Sequence, residues 1–186
     1  MRTAATLFIV ALAILVQATV VNRIPFAWGT GPDLVVAALA AVALTASPAV
    51  SAGSGFAAGL AMDLMPPAEH AVGRYALVLC VVFYLVALLR TNTGAPGAVG
   101  GRPSAWTGIG AALAASLGVS AAYAAVGLVV GDPRLSLGAL AVAAGTGAVL
   151  TTLAAPLATL PLLWIRTAFT EDEFATVQGP TRLGGW

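Results

Sequence analysis

The sequence predicts an all-α integral membrane protein, a single bundle of six transmembrane helices, and three observations carry that prediction. Only 8% of the residues are charged and 60% are hydrophobic, whereas about a quarter of a soluble domain is charged. Apolar runs of about membrane-crossing length recur along the chain, separated by short stretches holding Gly, Pro and Arg. Two shorter apolar segments lie back to back between Gly31 and Tyr75, joined at Ser47-Pro48. A folded water-soluble surface needs more polar groups than this chain has, so no soluble domain is expected. The lipid bilayer is its solvent.

Residues 4–21 form the first run, between Arg2 and Arg23. A cleaved signal peptide is the rival reading, but Gln17-Ala18-Thr19-Val20-Val21 ends in bulky valines where small residues would be required. A retained first span is expected. A loop follows, with Pro25, Trp28, Gly29 and Gly31, and Trp28 suits the water–lipid boundary. Residues 34–46 and 49–65 are the second and third segments. The second, with 13 residues, must be buried among neighbours, tilted little, or reach only part-way across. Pro48 disfavours helical geometry at Ser47 and so places a turn there. Pro66-Pro67 stops the third segment.

The fourth span is expected over 74–89, closed by Arg90, and the fifth over 105–130 after the polar connection 91–104. The sixth, 135–165, contains Pro156 and Pro161, each of which removes a backbone donor. Residues 1–166 thus form the transmembrane domain and 167–186 a tail with Glu171, Asp172 and Glu173. Six spans place Arg2, Arg90, Arg102, Arg166 and Arg182 on one side and Arg23, Arg74 and Arg134 on the other. The arginine bias makes the first side cytoplasmic, with both termini there. No internal repeat of fixed period is visible.

The charges narrow the chemistry. A net charge of +1, from arginines alone among the basic residues, gives no basic surface for nucleic acid. Cys80 and His70 are the single cysteine and histidine, which excludes disulfides, a zinc cluster and Cys-His catalysis within the chain. No cofactor or metal site is expected. Gly53-Ser54-Gly55 invites comparison with an intramembrane serine protease, but that chemistry needs a base beside the serine, and His70 lies in a loop. No catalytic residue is assigned.

Asp33 follows Pro32 at a helix start, where an acid caps free amides and meets the positive end of the dipole. Asp63 stands at a helix C-terminus and Arg74 at a helix N-terminus, each the unfavourable end for its charge. An Asp63–Arg74 bridge clamping spans three and four resolves both, and with Asp33 they would shape one face of the bundle. Gly55, Gly59 and Asp63 recur every four residues and share one stripe. Gly55-Phe56-Ala57-Ala58-Gly59 has the spacing that lets helices approach closely. Packing inside the bundle is the first reading, with a partner helix or a homodimer as the alternative. Tyr75, Tyr84, Trp106 and Trp164 are expected as interfacial anchors.

The segments Gly31-Pro32-Asp33-Leu34, Gly55 to Leu64 and Gly73-Arg74-Tyr75-Ala76-Leu77 together resemble the rod shape-determining protein MreD family. The resemblance is specific over about residues 31–90 and elsewhere rests on hydropathy and length. It implies a non-enzymatic scaffold of the bacterial cell-elongation machinery, in the inner membrane, that binds MreC, a single-span protein. Through MreC it would connect to the MreB cytoskeleton and to the cell-wall synthases. It also implies a fold like that of the substrate-binding membrane subunit of energy-coupling-factor vitamin transporters. Gly31, Pro32, Asp33, Gly55, Gly59, Asp63, Gly73 and Arg74 are the candidate structural or partner-contact residues. The competing function is a substrate-capturing transporter subunit for a vitamin or a lipid-linked precursor. The spans offer it only scattered Gln17, Ser54, Ser116, Ser120, Thr146, Thr151 and Thr152, which is thin for specific capture.

Overall fold

A computed structural model of the chain describes residues 2–26, 30–65, 72–93, 104–131 and 137–175. Trp28, Gly29, Pro66, Pro67, His70, Arg102, Asp132, Pro133, Arg134 and Arg182 lie outside the described residues. Within the described residues the fold is all-helical: α1 (Arg2–Thr19), α2 (Leu34–Ala43), α3 (Pro48–Leu64), α4 (Arg74–Thr93), α5 (Ala105–Val130) and α6 (Leu137–Ala175), with a 3₁₀ turn at Val21–Arg23.

Helix α2 is the axis of the bundle. It has 10 residues, about 15 Å of helix, half the thickness of a bilayer core. Every residue from Val35 to Ala43 is at most 1% exposed, because α1, α3, α4, α5 and α6 all pack against it. Its sequence explains how so many neighbours fit. Ala37, Ala38, Ala40, Ala41 and Ala43 keep its cylinder thin, and tight van der Waals packing is what holds helices together in lipid. The second segment is therefore buried among its neighbours, one of the alternatives its length left open.

Local chemistry sets the remaining ends. Ser47 is extended (φ −69°, ψ 158°) and its hydroxyl accepts from Val50 N, with Pro48 in the first turn of α3. This is the expected break between the two short segments. Gly131 closes α5 in the left-handed conformation, φ 73°. Helix α4 continues past Arg90 to Thr93, and α6 runs through Pro156 and Pro161 to Ala175, beyond the boundary expected at 166. Proline is tolerated in membrane helices because neighbours re-satisfy the freed carbonyls.

Consecutive helices alternate in direction. The end of α1 meets the start of α2 through Gln17 and Leu34; the end of α3 meets the start of α4 through Asp63 and Ala76. Tyr123, late in α5, meets Arg74 at the start of α4, and Thr151 of α6 meets Asp33.

Four helical stretches are long and apolar enough to cross a membrane: Thr6–Arg23, Arg74–Asn92, Trp106–Val130 and Gly138–Ile165. Leu7, Phe8, Val129, Leu153 and Leu157 are all more than 60% exposed on these stretches. Outward apolar faces of that extent are untenable in water and suit lipid. The chain is a multi-pass membrane protein. Helix α3, with 17 residues, is about 26 Å long, and α2 is too short to cross.

Candidate functional site

A short helix buried on all sides has bare amides at its start and bare carbonyls at its end, with no water to satisfy them. Side chains from the longer helices do so here. At the start of α2, Asp33 is extended and its Oδ1 accepts from Val36 N at 2.9 Å. Leu34 N donates to Gln17 Oε1 at 2.9 Å. Asp33 N donates to Thr151 Oγ1 at 2.8 Å. Gln17, only 6% exposed, also donates from Nε2 to Pro32 O and to Asn22 Oδ1. The second oxygen of Asp33 accepts from the Tyr75 hydroxyl of α4. The hydroxyls of Thr30 and Thr146 lie 2.9 Å apart beside this cluster. Gly31 lets the Phe26 ring lie against the backbone, since a Cβ there would fall 2.4 Å from Phe26 Cε2.

Asp63, Gly73 and Arg74 meet at the same end of the bundle. Asp63 is 3% exposed, and its Oδ2 accepts from Gly73 N at 2.8 Å and Ala76 N at 3.1 Å. The acid at the end of α3 is thus a cap on the start of α4, where the dipole favours it. That resolves the dipole conflict at Asp63 through backbone amides. Gly73 makes the approach feasible with φ 94°, a conformation L side chains rarely adopt. The Arg74 guanidinium lies 3.9 Å from the centroid of the Tyr123 ring and donates from Nη2 to Tyr123 O at 3.1 Å. Tyr123 packs edge-on against Tyr75 at 6.5 Å between ring centroids. Asp63→Ala is expected to destabilise the bundle by about 2 kcal/mol, with Asp63→Asn recovering about half, because the amide oxygen still accepts. Thermal unfolding in detergent checks the order parent, Asn, Ala.

The glycine stripe is spent inside the bundle. A Cβ on Gly55 would lie 2.6 Å from Leu79 O, and one on Gly59 would lie 2.5 Å from Ala76 Cα. Both glycines therefore seat α3 directly on the backbone of α4.

At the opposite end of α2, Arg90 reaches the carbonyls just past the helix's last residue, Ala43. Nη1 donates to Leu44 O at 2.7 Å and Nη2 to Ala46 O at 2.8 Å. A guanidinium at a helix C-terminus complements the dipole and its fork matches two carbonyls at once. Arg90→Lys keeps the charge but loses the fork. The expected loss is about 1 kcal/mol for Lys and about 2 kcal/mol for Ala, read from the same unfolding experiment.

A cavity of about 480 Å³ opens at the start of α2. Gln17, Asn22, Asp33, Tyr75, Ser116, Ser120, Tyr123 and Thr151 line it, together with Val36, Met62, Met65, Val119 and Leu140. Of the polar residues scattered along the spans, Gln17, Ser116, Ser120 and Thr151 come together in this lining, while Ser54, Thr146 and Thr152 are not part of it. Tyr75, expected as an interfacial anchor, is half-buried and donates its hydroxyl to Asp33. Trp106 and Trp164, at 81% and 71% exposure, keep outward positions compatible with anchoring. Gln17, Thr151, Tyr123 and Arg90 carry contacts that sequence reasoning did not assign. The available signal was polarity itself: each is a hydrogen-bonding side chain in or at the edge of an otherwise apolar run.

Fold and site together define a multi-pass α-helical membrane protein whose buried half-length helix is tethered at both ends by side chains. No family model, curated protein or solved structure matches the chain.

Proposed function

We propose that this protein is a six-span, non-enzymatic scaffold of the MreD kind in the bacterial inner membrane, with both termini cytoplasmic. It binds an MreC-like single-span protein in the plane of the bilayer and through it supports the MreB cytoskeleton and the cell-wall synthases in maintaining cell shape. The observation that carries this reading is the use made of the resembling stretch. Asp33, Asp63 and Gly73 all bond helix starts at one end of the bundle, with Arg74 stacked beside them. These charges hold a shape, as a docking platform requires. The alternation of helix direction supports six helices within the bilayer, with α2 and α3 as a helical hairpin between α1 and α4. The fold comparison with energy-coupling-factor substrate-binding subunits belongs to this same reading.

Co-expression with the MreC-like protein of the same organism, followed by purification in mild detergent through a tag on the partner, tests it. The expected result is co-elution of the two chains. A folded bundle that never co-elutes rejects the scaffold. Gly59 is unsuitable as an interface probe because it packs on α4. The second reading, a substrate-binding transporter subunit, is favoured by the cavity. A small molecule retained through purification, with no partner bound, would select it.

A further inference from the structure

We propose that the cavity at the start of α2 is a binding site for an uncharged, hydroxyl-rich group, a small sugar or polyol, either free or as the head of a neutral lipid. This does not rest on the scaffold reading. Its volume, about 480 Å³, lies within the range of about 300–1,000 Å³ typical of small-ligand sites.

The lining selects the chemistry. Asp33 is the single carboxylate among the lining residues, and no arginine is among them. A phosphate or other anion would face that carboxylate in a low-dielectric interior, with the Arg74 guanidinium outside the lining and committed to the ring and carbonyl of Tyr123. A second cation is also disfavoured. The Arg74 guanidinium already lies against the lining residue Tyr123, and both Asp33 oxygens already accept hydrogen bonds. What remains suited is a neutral group with hydroxyls that donate and accept.

Ser116 points to the same ligand independently. It is 94% buried by its 6% exposure and lines the cavity. Among the described residues, nothing hydrogen-bonds to its hydroxyl, although its carbonyl accepts from Ser120. A hydroxyl on the wall of a cavity in an apolar bundle offers a donor and an acceptor to a ligand's hydroxyl. Thr151 Oγ1 accepts from Asp33 N, so its own proton is available to an acceptor. Val36, Met62, Val119 and Leu140 supply the apolar wall, against which a sugar's carbon face or the first segment of a lipid stem packs.

The test uses the whole protein purified in a polyoxyethylene detergent, so that no sugar-headed detergent competes. Native mass spectrometry and thermal shift are recorded with free glucose, galactose, inositol and glycerol, with monoglucosyl diacylglycerol, and with phosphatidylglycerol. Two variants accompany the parent. Ser116→Ala removes the buried hydroxyl. Gly147→Leu adds a side chain at a lining position where a Cβ meets nothing within 4 Å, so it occupies open space without a backbone clash.

The expected result is saturable binding of a free polyol or of the glucosyl lipid. Binding should weaken about fivefold in Ser116→Ala, the loss of one hydrogen bond, and at least about tenfold in Gly147→Leu. Each variant should unfold at the parent's temperature when unliganded. A free sugar that binds identifies a soluble ligand, and lipid binding alone identifies a membrane headgroup. Three results overturn the proposal: no neutral ligand binds the folded parent, phosphatidylglycerol binds as well as the glucosyl lipid, or binding is unchanged in whichever variants fold.

Discussion

Gly59→Leu should prevent the bundle from reaching its native packing, with a loss of about 3 kcal/mol or more and little folded protein recovered from membranes. A Cβ at Gly59 would lie 2.5 Å from Ala76 Cα, 2.8 Å from Ala76 N and 2.9 Å from Tyr75 O. These are backbone atoms, and no rotamer change moves them aside. Overpacking of an interior with side chains that can shift costs about 1–3 kcal/mol, so backbone overlap lies at or above that limit. The displacement is also passed on. Pushing α3 from α4 here draws Asp63 away from Ala76 N and disturbs Tyr75, which holds Asp33. Gly53→Leu is the control on the same helix, because a Cβ there meets nothing within 4 Å. It should fold and unfold like the parent. Equal behaviour of the two variants by size exclusion and thermal unfolding would show that the α3–α4 approach is looser than described.

The features legible in the sequence are those fixed by near neighbours in the chain. Pro32-Asp33 before an apolar run spells a capped helix start, and Asp33 caps Val36. Ser47-Pro48 spells a helix entry, and the break falls there. The four-residue spacing of Gly55 and Gly59 gives a stripe for close approach without saying which helix approaches. Hydropathy locates an element along the chain but not its rotation about its own axis, and that rotation decides which side chains meet. Gln17 reads as an interruption of α1 until α2 is placed beside it. Arg90 reads as the stop after the fourth span, yet α4 continues and the guanidinium turns to α2. Asp63 reads as an acid at the wrong end of α3 because the amides that donate to it belong to the start of the next helix. The cavity was hidden for the same reason. Ser116, Ser120, Tyr123 and Thr151 are far from Gln17 and Asp33 in the chain and become neighbours only in the bundle.

Asp33→Ala should cost about 3 kcal/mol, the sum of two losses that the sequence does not suggest belong to one residue. Removing the cap on a buried helix start costs about 1 kcal/mol in ordinary settings and up to about 2. Deleting the carboxylate also leaves the Tyr75 hydroxyl facing a protein interior, with a penalty of about 1–3 kcal/mol. The two can be separated. Asp33→Asn retains an oxygen for Val36 N and a group able to bond the phenol, so it should lose about 1 kcal/mol. Tyr75→Phe removes the phenol and should lose about 1 kcal/mol while leaving the cap intact. In the double variant Asp33→Ala with Tyr75→Phe the phenol is no longer stranded. Its loss should therefore be smaller than the sum of the single losses by about 1 kcal/mol. Strict additivity of the two substitutions would mean that Tyr75 stabilises α4 by its ring alone. A positive coupling would mean that α4 is tethered to the start of α2 by this one hydrogen bond. That tether, with Arg90 on the same helix holding the other end of α2, fixes the depth of the central helix and so the floor of the cavity.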